Sequence, residues 1–264
     1  MKVFDFNIHL ADNISDENNI SLKELKYKYS LYAKNFKNNI DTGNFMLFNQ
    51  NLFFENNIDD FIKNIKNDFN NSLFTALIDF RKKDIISYLD KAILSGIDCI
   101  KFHSYNQKII ESDFIEIIKI CQYAEKNNII ICLDTSYGTS KMYTYDNMRL
   151  ACFISDFITK VPIVLLHTGG ARVIEAMLLA DEKKNIFLDT SFSILYYLDS
   201  SLEKDFAYTY KKIGSNRVIY GSDTPYIDIN KSLEKTIHFL EKYKFSDKDI
   251  ENILYNTASN LKTN

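Results

Sequence analysis

Short apolar runs recur eight times along the chain, and amphipathic stretches separate them. The runs are rich in β-branched and aromatic residues and are mostly apolar on both faces, which is typical of parallel strands covered by helices. Strands that alternate with helices in this way predict a parallel α/β sheet. The predicted strands cover residues 2–8, 44–48, 73–79, 99–102, 129–133, 162–166, 185–188 and 217–220.

Eight such units in series favour a closed (β/α)8 barrel over an open, doubly wound sheet. A barrel of this kind needs about 250 residues, and the chain has 264. The first predicted strand is not followed by the glycine-rich loop that nucleotide-binding open sheets carry at this point. No linker rich in Pro, Gly or Ser divides the sequence. We therefore expect a single TIM-barrel domain over residues 1–264.

Apolar residues at helical spacing predict helices between the strands. Ser21 and Glu24 have the capping-box pattern at the start of one helix, which runs to about Phe36. Further helices are predicted over residues 113–125, 147–159, 173–179, 200–212, 232–243 and 249–261.

The composition gives no indication of a nucleic-acid or membrane partner. The formal net charge is −3, and the lysines are spread along the chain without forming a basic block. No apolar run approaches the roughly 20 residues of a membrane-spanning helix, and the amino terminus lacks the apolar core of a signal peptide. The four cysteines show no CxxC spacing and lie in apolar segments, as buried, reduced thiols do. We expect a cytoplasmic protein.

Two of the apolar runs end abruptly in polar clusters. One delivers His167 before Thr-Gly-Gly, and the other delivers Asp223 before Thr-Pro. Because the carboxyl ends of barrel strands meet on one face, side chains at these ends converge on one mouth. Polar residues at or just after the ends of other strands are Asn7, His9, Arg81, Lys101, His103, Asp134 and Asp189. The clustering of three of the four histidines at these ends favours a catalytic or metal site.

Several motifs around these strand ends occur in a recognisable order. They are Asp5-Phe-Asn-Ile-His9, Gly96-Ile-Asp-Cys-Ile-Lys-Phe-His103, Ile131-Cys-Leu-Asp134, Leu166-His-Thr-Gly-Gly170, Asn185-Ile-Phe-Leu-Asp-Thr-Ser191, Gly221-Ser-Asp-Thr-Pro225 and Asn256-Thr-Ala. In this order they resemble the amidohydrolase-related branch of the amidohydrolase superfamily, a group of metal-dependent TIM-barrel hydrolases. That group also includes aminocarboxymuconate-semialdehyde decarboxylase and pyrone-dicarboxylate lactonase. The resemblance spans nearly the whole chain.

The resemblance implies a metal site formed by Asn7, His9, Asp134 and Asp223, with His167 close by. The family's first strand supplies two histidines and its fifth strand usually a third, so Asn7 and Asp134 replace imidazoles here. Zinc accepts mixed nitrogen and oxygen ligands, whereas three oxygens and one nitrogen favour Mn²⁺ or Mg²⁺. We expect a divalent metal ion, and loss of the metal is the alternative.

In the expected reaction, Asp223 is the general base toward water, and His167 polarises the substrate carbonyl or stabilises the oxyanion. Residues expected to bind the substrate, which has an anionic group, are Lys101, His103, Arg81, Arg172 and Tyr137. For two of these, pairing with an acid is the alternative: a strand-end carboxylate for Lys101 and Glu175 for Arg172.

The predicted function is that of a metal-dependent hydrolase acting on a C–O or C–N bond of a small polar, anionic metabolite. The alternatives are a metal-independent lactonase or decarboxylase on the same barrel, and a catalytically silent binding barrel. The altered positions Asn7 and Asp134 favour both alternatives, whereas the retained His167 and Asp223 oppose the silent barrel. The expected partner is a small-molecule substrate, with neither nucleic acid nor membrane. Because similar proteins often form dimers, a homodimer is also considered.

Overall fold

The structure is a computed structural model that describes residues 1–36, 39–137 and 140–262. In these residues eight parallel strands form one sheet, and each strand pairs with the next along the chain. The strands are β1 (Phe4–His9), β2 (Thr42–Leu47), β3 (Leu73–Leu77), β4 (Cys99–His103), β5 (Ile130–Asp134), β6 (Ile163–Leu166), β7 (Ile186–Asp189) and β8 (Val218–Ile219). The predicted strands are found, each displaced by at most two residues at either end.

The sheet closes where the segment after β8 lies against β1. The Phe6 N–H donates to the Tyr220 carbonyl at 3.0 Å, and the His9 N–H donates to the Thr224 carbonyl at 2.8 Å. A parallel bridge between Ile8 and Thr224 continues this contact. The predicted TIM barrel, as a single domain, is therefore confirmed.

Helices connect the strands and cover the outside of the barrel. The helices in the described residues are α1 (Ile14–Glu17), α2 (Leu22–Phe36), α3 (Ile58–Asp68), α4 (Ile85–Leu94), α5 (Phe114–Lys126), α6 (Ser140–Thr144), α7 (Asn147–Phe157), α8 (Val173–Glu182), α9 (Ser193–Tyr197), α10 (Leu202–Ile213), α11 (Ile229–Lys242), α12 (Asp247–Glu251) and α13 (Thr257–Ser259). The Glu24 N–H donates to Ser21 Oγ at the start of α2, as the capping pattern predicts. In the described ranges, no helix combines the length and apolarity needed to cross a membrane.

The alternation of side chains along β4 and β5 explains how the barrel becomes polar at its mouth. Cys99 and Cys132 belong to a buried apolar cluster inside the barrel, together with residues of the other strands. Moving toward the carboxyl ends, the same faces present Lys101 and then His103 on β4, and Asp134 on β5. His103 and Asp134 are register partners on β4 and β5, so their side chains lie next to each other at the mouth of the barrel.

The cysteines differ from the prediction in one respect. Cys99, Cys121 and Cys132 are buried free thiols, as expected, but Cys152 is exposed. It lies on α7 next to the buried Ala151, at a position that faces away from the barrel.

The turn between β6 and α8 requires glycine at Gly170. Its φ is +53°, and a Cβ atom there would lie 2.6 Å from the Tyr137 backbone nitrogen. We expect Gly170→Ala to lower the free energy of unfolding by about 1–3 kcal/mol, because the variant combines a strained φ with a backbone clash. Thermal and urea unfolding measure this loss. Ala171→Gly, in the same turn, is the control and should cost less; equal stability of Gly170→Ala and the unaltered protein would contradict the close approach.

Candidate active site

A cavity of about 300 Å³ opens at the carboxyl ends of the strands. Seven of the ten predicted site residues line it: His9, Lys101, His103, Asp134, Tyr137, His167 and Asp223. The charged and imidazole side chains come from strand ends, as the barrel geometry predicts. A volume of this size suits a small molecule.

Aromatic side chains form much of the cavity wall. They are Phe48, Tyr105, Tyr137, Phe192, Tyr196, Tyr197 and Tyr226. Phe48 packs edge-on against the His9 ring at 5.2 Å, and the Lys101 ammonium lies 5.0 Å from the same phenyl ring. No local sequence signal marks Phe48 or Phe192 as a site residue, because a single aromatic residue after an apolar run is equally typical of the core.

His167 and Asp223 both have left-handed backbones, with φ values of 68° and 63°. Such conformations cost about 1–3 kcal/mol in a non-glycine residue, and they concentrate at functional sites. Buried hydrogen bonds hold both residues in place: the His167 N–H donates to Asp189 Oδ1 at 3.0 Å, and the Asp223 N–H donates to the Asn7 carbonyl at 3.0 Å. Asp189 therefore anchors the loop after β7, since it also accepts from the Ser191 N–H at 3.1 Å.

The Asp134 carboxylate is buried among nitrogen-bearing side chains. Its Oδ2 atom lies 3.2 Å from His167 Nε2, 3.4 Å from His103 Nε2 and 3.9 Å from Lys101 Nζ. Its Oδ1 atom accepts from the Ser136 hydroxyl at 2.6 Å. Burial alone raises the pKa of a carboxyl group, but these neighbours hold the pKa of Asp134 well below its usual value. Asp134 is therefore ionised at neutral pH.

His167 is held as an imidazolium. Its Nδ1 donates to the Ser191 carbonyl at 3.1 Å and its Nε2 donates to Asp134 Oδ2 at 3.2 Å, so both ring nitrogens face acceptors. Burial alone lowers the pKa of an imidazole, but the Asp134 carboxylate outweighs it and raises the pKa of His167 to about 9. Near neutral pH, this ring brings a positive charge to the cavity.

The other two imidazoles at the mouth are neutral. Burial, with a contribution from the nearby Lys101 ammonium, lowers the pKa of His9 to about 3. Burial likewise lowers the pKa of His103 to about 3, although the Asp134 carboxylate opposes this shift. The cavity therefore carries two cationic side chains, His167 and Lys101.

Asp223 is supported from β1. Asn7 Nδ2 donates to Asp223 Oδ1 at 3.0 Å and to Ser191 Oγ at 3.0 Å, while Asn7 Oδ1 lies 3.1 Å from His9 Nε2. On the far side of the His9 ring, Nδ1 lies 2.5 Å from Glu17 Oε1. Glu17 is 2% exposed and was not predicted as a site residue. Its surroundings in the sequence are polar, so nothing local indicates that its side chain is buried.

The four residues assigned to a metal ion by the family resemblance lie in two separate groups. Asn7, His9 and Asp223 contact one another, whereas Asp134 faces the imidazoles and Lys101. The Asn7 group that faces Asp223 is an amide N–H, which cannot ligate a cation. Within the described part of the chain, no three His, Cys, Asp or Glu side chains are arranged to hold a metal ion. The described residues therefore do not fit the predicted metal site.

Arg81 and Arg172 lie outside the lining of the cavity, contrary to the expectation that they bind substrate there. Arg81 Nη2 donates to Asp113 Oδ2 at 2.6 Å. Arg172 donates to Asp146 Oδ1 at 2.7 Å and to Glu175 Oε2 at 2.8 Å. Asp113 therefore binds the Arg81 guanidinium, while Asp146 and Glu175 bind the Arg172 guanidinium. The alternative expectation for Arg172, pairing with Glu175, is thus the arrangement found.

Comparison with known proteins places the chain in a family. A family model described as Amidohydrolase matches residues 117–261, more than half of the chain. The chain belongs to the amidohydrolase family. The resemblance read from the strand-end motifs is thereby confirmed. A search of curated proteins found no match to the sequence.

Solved structures share the fold at low sequence identity. An uncharacterised TIM-barrel protein from Bordetella bronchiseptica is 15% identical, with a TM-score of 0.70 over 100% of this chain and 99% of that one. A probable 2-pyrone-4,6-dicarboxylic acid hydrolase from Acinetobacter baumannii, with citric acid bound, is 14% identical (TM-score 0.66, 100% of both chains). A dihydroxybenzoic acid decarboxylase from Polaromonas, with bound manganese, is 12% identical (TM-score 0.64, 99% and 97%). At this identity the comparison establishes the barrel alone.

The charge on His167 depends on Asp134, which gives a direct test of the site's electrostatics. In Asp134→Asn the pKa of His167 should fall from about 9 toward or below the usual value of an imidazole, because burial is then opposed by less negative charge. An NMR titration of the ¹⁵N-labelled imidazoles measures this pKa. Asp113→Asn removes a carboxylate near Arg81 and should leave the titration of His167 unchanged. A His167 pKa that stays near 9 in Asp134→Asn would show that another group charges the ring.

Proposed function

We propose that this member of the amidohydrolase family is a hydrolase that cleaves a C–O or C–N bond in a small polar metabolite with an anionic group. The observation that carries the proposal is the placement of the His167 imidazolium and the Asp223 carboxylate on the wall of one cavity. Hydrolysis needs a base to activate water and a positive group to stabilise the oxyanion, and these two side chains supply both.

In the proposed reaction, Asp223 accepts a proton from a water molecule in the cavity. The oxygen of that water forms a bond to the substrate carbonyl carbon, and the carbonyl π electrons move onto the oxygen. The His167 imidazolium stabilises the resulting negative charge. When the tetrahedral intermediate collapses, the C–O or C–N bond breaks and the leaving atom takes the proton from Asp223. Water is thereby added across the bond, and both side chains return to their starting state.

Lys101 is the proposed contact for the substrate's anionic group. Its side chain is 1% exposed, so water screens its positive charge little, and its attraction to an anion in the cavity is stronger than it would be at the surface. Lys101 pairs with the strand-end carboxylate of Asp134, the alternative expected from the sequence, but the distance from Nζ to Oδ2 is long, at 3.9 Å, so the ammonium still has donors to offer. A substrate carboxylate or phosphate can therefore gain a charge-assisted hydrogen bond from Lys101.

Of the routes predicted from the sequence, metal-independent hydrolysis has the best support from this arrangement. Lys101 and His167 provide positive charge inside the cavity, the contribution that a Lewis-acidic ion makes in metal-dependent hydrolysis. Asn7 offers Asp223 a donor, so the carboxylate is oriented toward protein rather than toward a cation. The proposal therefore replaces the metal-dependent expectation with an acid–base mechanism.

The two catalytic assignments are tested with a panel of lactones, esters and cyclic amides that carry a carboxylate or phosphate. We expect Asp223→Asn and His167→Gln each to lower kcat/KM by about 10²–10⁴-fold. In the unaltered protein, kcat/KM should fall as pH rises through about 9, because His167 then loses its proton. Asp12→Asn, an exposed carboxylate, is the matched control.

The outcomes separate the alternatives. Full turnover by Asp223→Asn would remove the base assignment. Release of CO₂ from a substrate without uptake of ¹⁸O from labelled water would favour a decarboxylase. Tight binding of an anionic compound across the panel without turnover would favour a silent binding barrel.

Metal independence has its own test. Protein prepared without chelator and then dialysed against EDTA should keep its activity, since the positive charges belong to Lys101 and His167. Added Mn²⁺, Zn²⁺ or Mg²⁺ should neither raise the rate nor raise Tm, and elemental analysis should find far less than one metal per chain. Loss of activity on dialysis, with recovery on adding one of these ions, would contradict the proposed mechanism.

A further inference from the structure

Four buried side chains form a continuous row that ends at the proposed general base. Glu17 Oε1 lies 2.5 Å from His9 Nδ1, and His9 Nε2 lies 3.1 Å from Asn7 Oδ1. Asn7 Nδ2 lies 3.0 Å from Asp223 Oδ1. The row begins on the short helix α1, passes through two residues of β1, and ends after β8.

The hydrogen bonds in this row all point the same way. Two acceptors, the Asp223 carboxylate and the Asn7 oxygen, cannot face each other, so the Asn7 amide must present N–H to Asp223 and its oxygen to His9. His9 Nε2 must then carry the proton that it donates to Asn7. The remaining ring nitrogen, Nδ1, is an acceptor in the neutral imidazole, and its partner Glu17 must donate. The direction of donation is therefore Glu17 to His9 to Asn7 to Asp223.

The surroundings of Glu17 suit a donor. The side chain is buried, and its second oxygen has no hydrogen-bond partner among the described residues. Burial of this kind disfavours the charged carboxylate over the neutral carboxyl group. A protonated carboxyl has one O–H to donate, and His9 Nδ1 is within its reach.

We infer that Glu17, His9 and Asn7 are positioning residues whose aligned hydrogen bonds hold Asp223 as an oriented carboxylate. The inference rests on the proposed role of Asp223 as general base. An amide cannot pass a proton on, so the row acts by orientation and polarisation and does not carry a proton to the substrate. Each donor in such a chain strengthens the next, which favours the charged form of the final acceptor.

Other groups also face Asp223 and act on it through their charge or polarity. The His167 imidazolium comes from the turn after β6, and within the row His9 Nε2 also lies 3.6 Å from Asp223 directly. The Asp189 carboxylate comes from β7, and the hydroxyls of Tyr105 and Tyr226 come from the loops after β4 and β8. These groups remain when Glu17 is replaced, so a change in that variant reports the row itself.

The experiment compares Glu17→Leu with Glu17→Gln. Leucine removes the donor, and we expect kcat to fall about tenfold, the size typical of losing a residue that orients a catalytic group. KM should change little, because a positioning residue acts on the chemical step and not on substrate binding. Glutamine keeps an N–H donor for His9 and should restore kcat. Asp16→Leu, on the same helix but exposed, is the control.

A second measurement does not depend on activity. The ¹⁵N spectrum of labelled histidines should show His9 neutral, with its proton on Nε2, between pH 5 and 8. A proton on Nδ1 would overturn the inference even if Glu17→Leu failed to fold. An unchanged kcat in folded Glu17→Leu, or a Glu17→Gln variant as impaired as Glu17→Leu, would also overturn it. Full activity of Asp223→Asn would instead refute the proposed function and leave the His9 result standing.

Discussion

The contact between Asp134 and His167 is the interaction on which the rest of the mouth depends. A buried carboxylate and a buried imidazolium are each costly to remove from water, and each makes the other's charge tolerable. Asp134 binds the His167 ring at Nε2, and the Ser191 carbonyl binds it at Nδ1, so the orientation of the ring is fixed at both nitrogens. The Asp134 carboxylate also lies 3.9 Å from the Lys101 ammonium, so this one anion pairs with both His167 and Lys101.

The sequence predicted the barrel and most of the mouth for physical reasons that are local to each strand. Parallel strands covered on both faces must be apolar over a short run, and a polar residue at the end of such a run faces the cavity. That reasoning located His167, Asp223 and Lys101 correctly within the cavity lining. It needed only the order of residues along each strand.

Contacts between distant segments were beyond the reach of the same reasoning. Arg81 and Arg172 follow strand ends, but their partners Asp113 and Asp146 come from other parts of the chain and hold them away from the cavity. Glu17 shows the reverse case, a charged residue in a polar stretch that the fold buries against His9. Pairings of this kind depend on how the loops pack, which no spacing within the sequence specifies.

The left-handed backbones at His167 and Asp223 limit how this site can change over evolutionary time. Only glycine, asparagine, aspartate and a few other residues tolerate such torsions readily, so most single replacements would lose both a reactive group and conformational stability. Glycine at either position would relieve the backbone strain but would remove the reactive side chain. Such a replacement could therefore stabilise the barrel while making it catalytically inactive. The chain therefore accepts a conformational cost at the two positions that the proposed reaction uses.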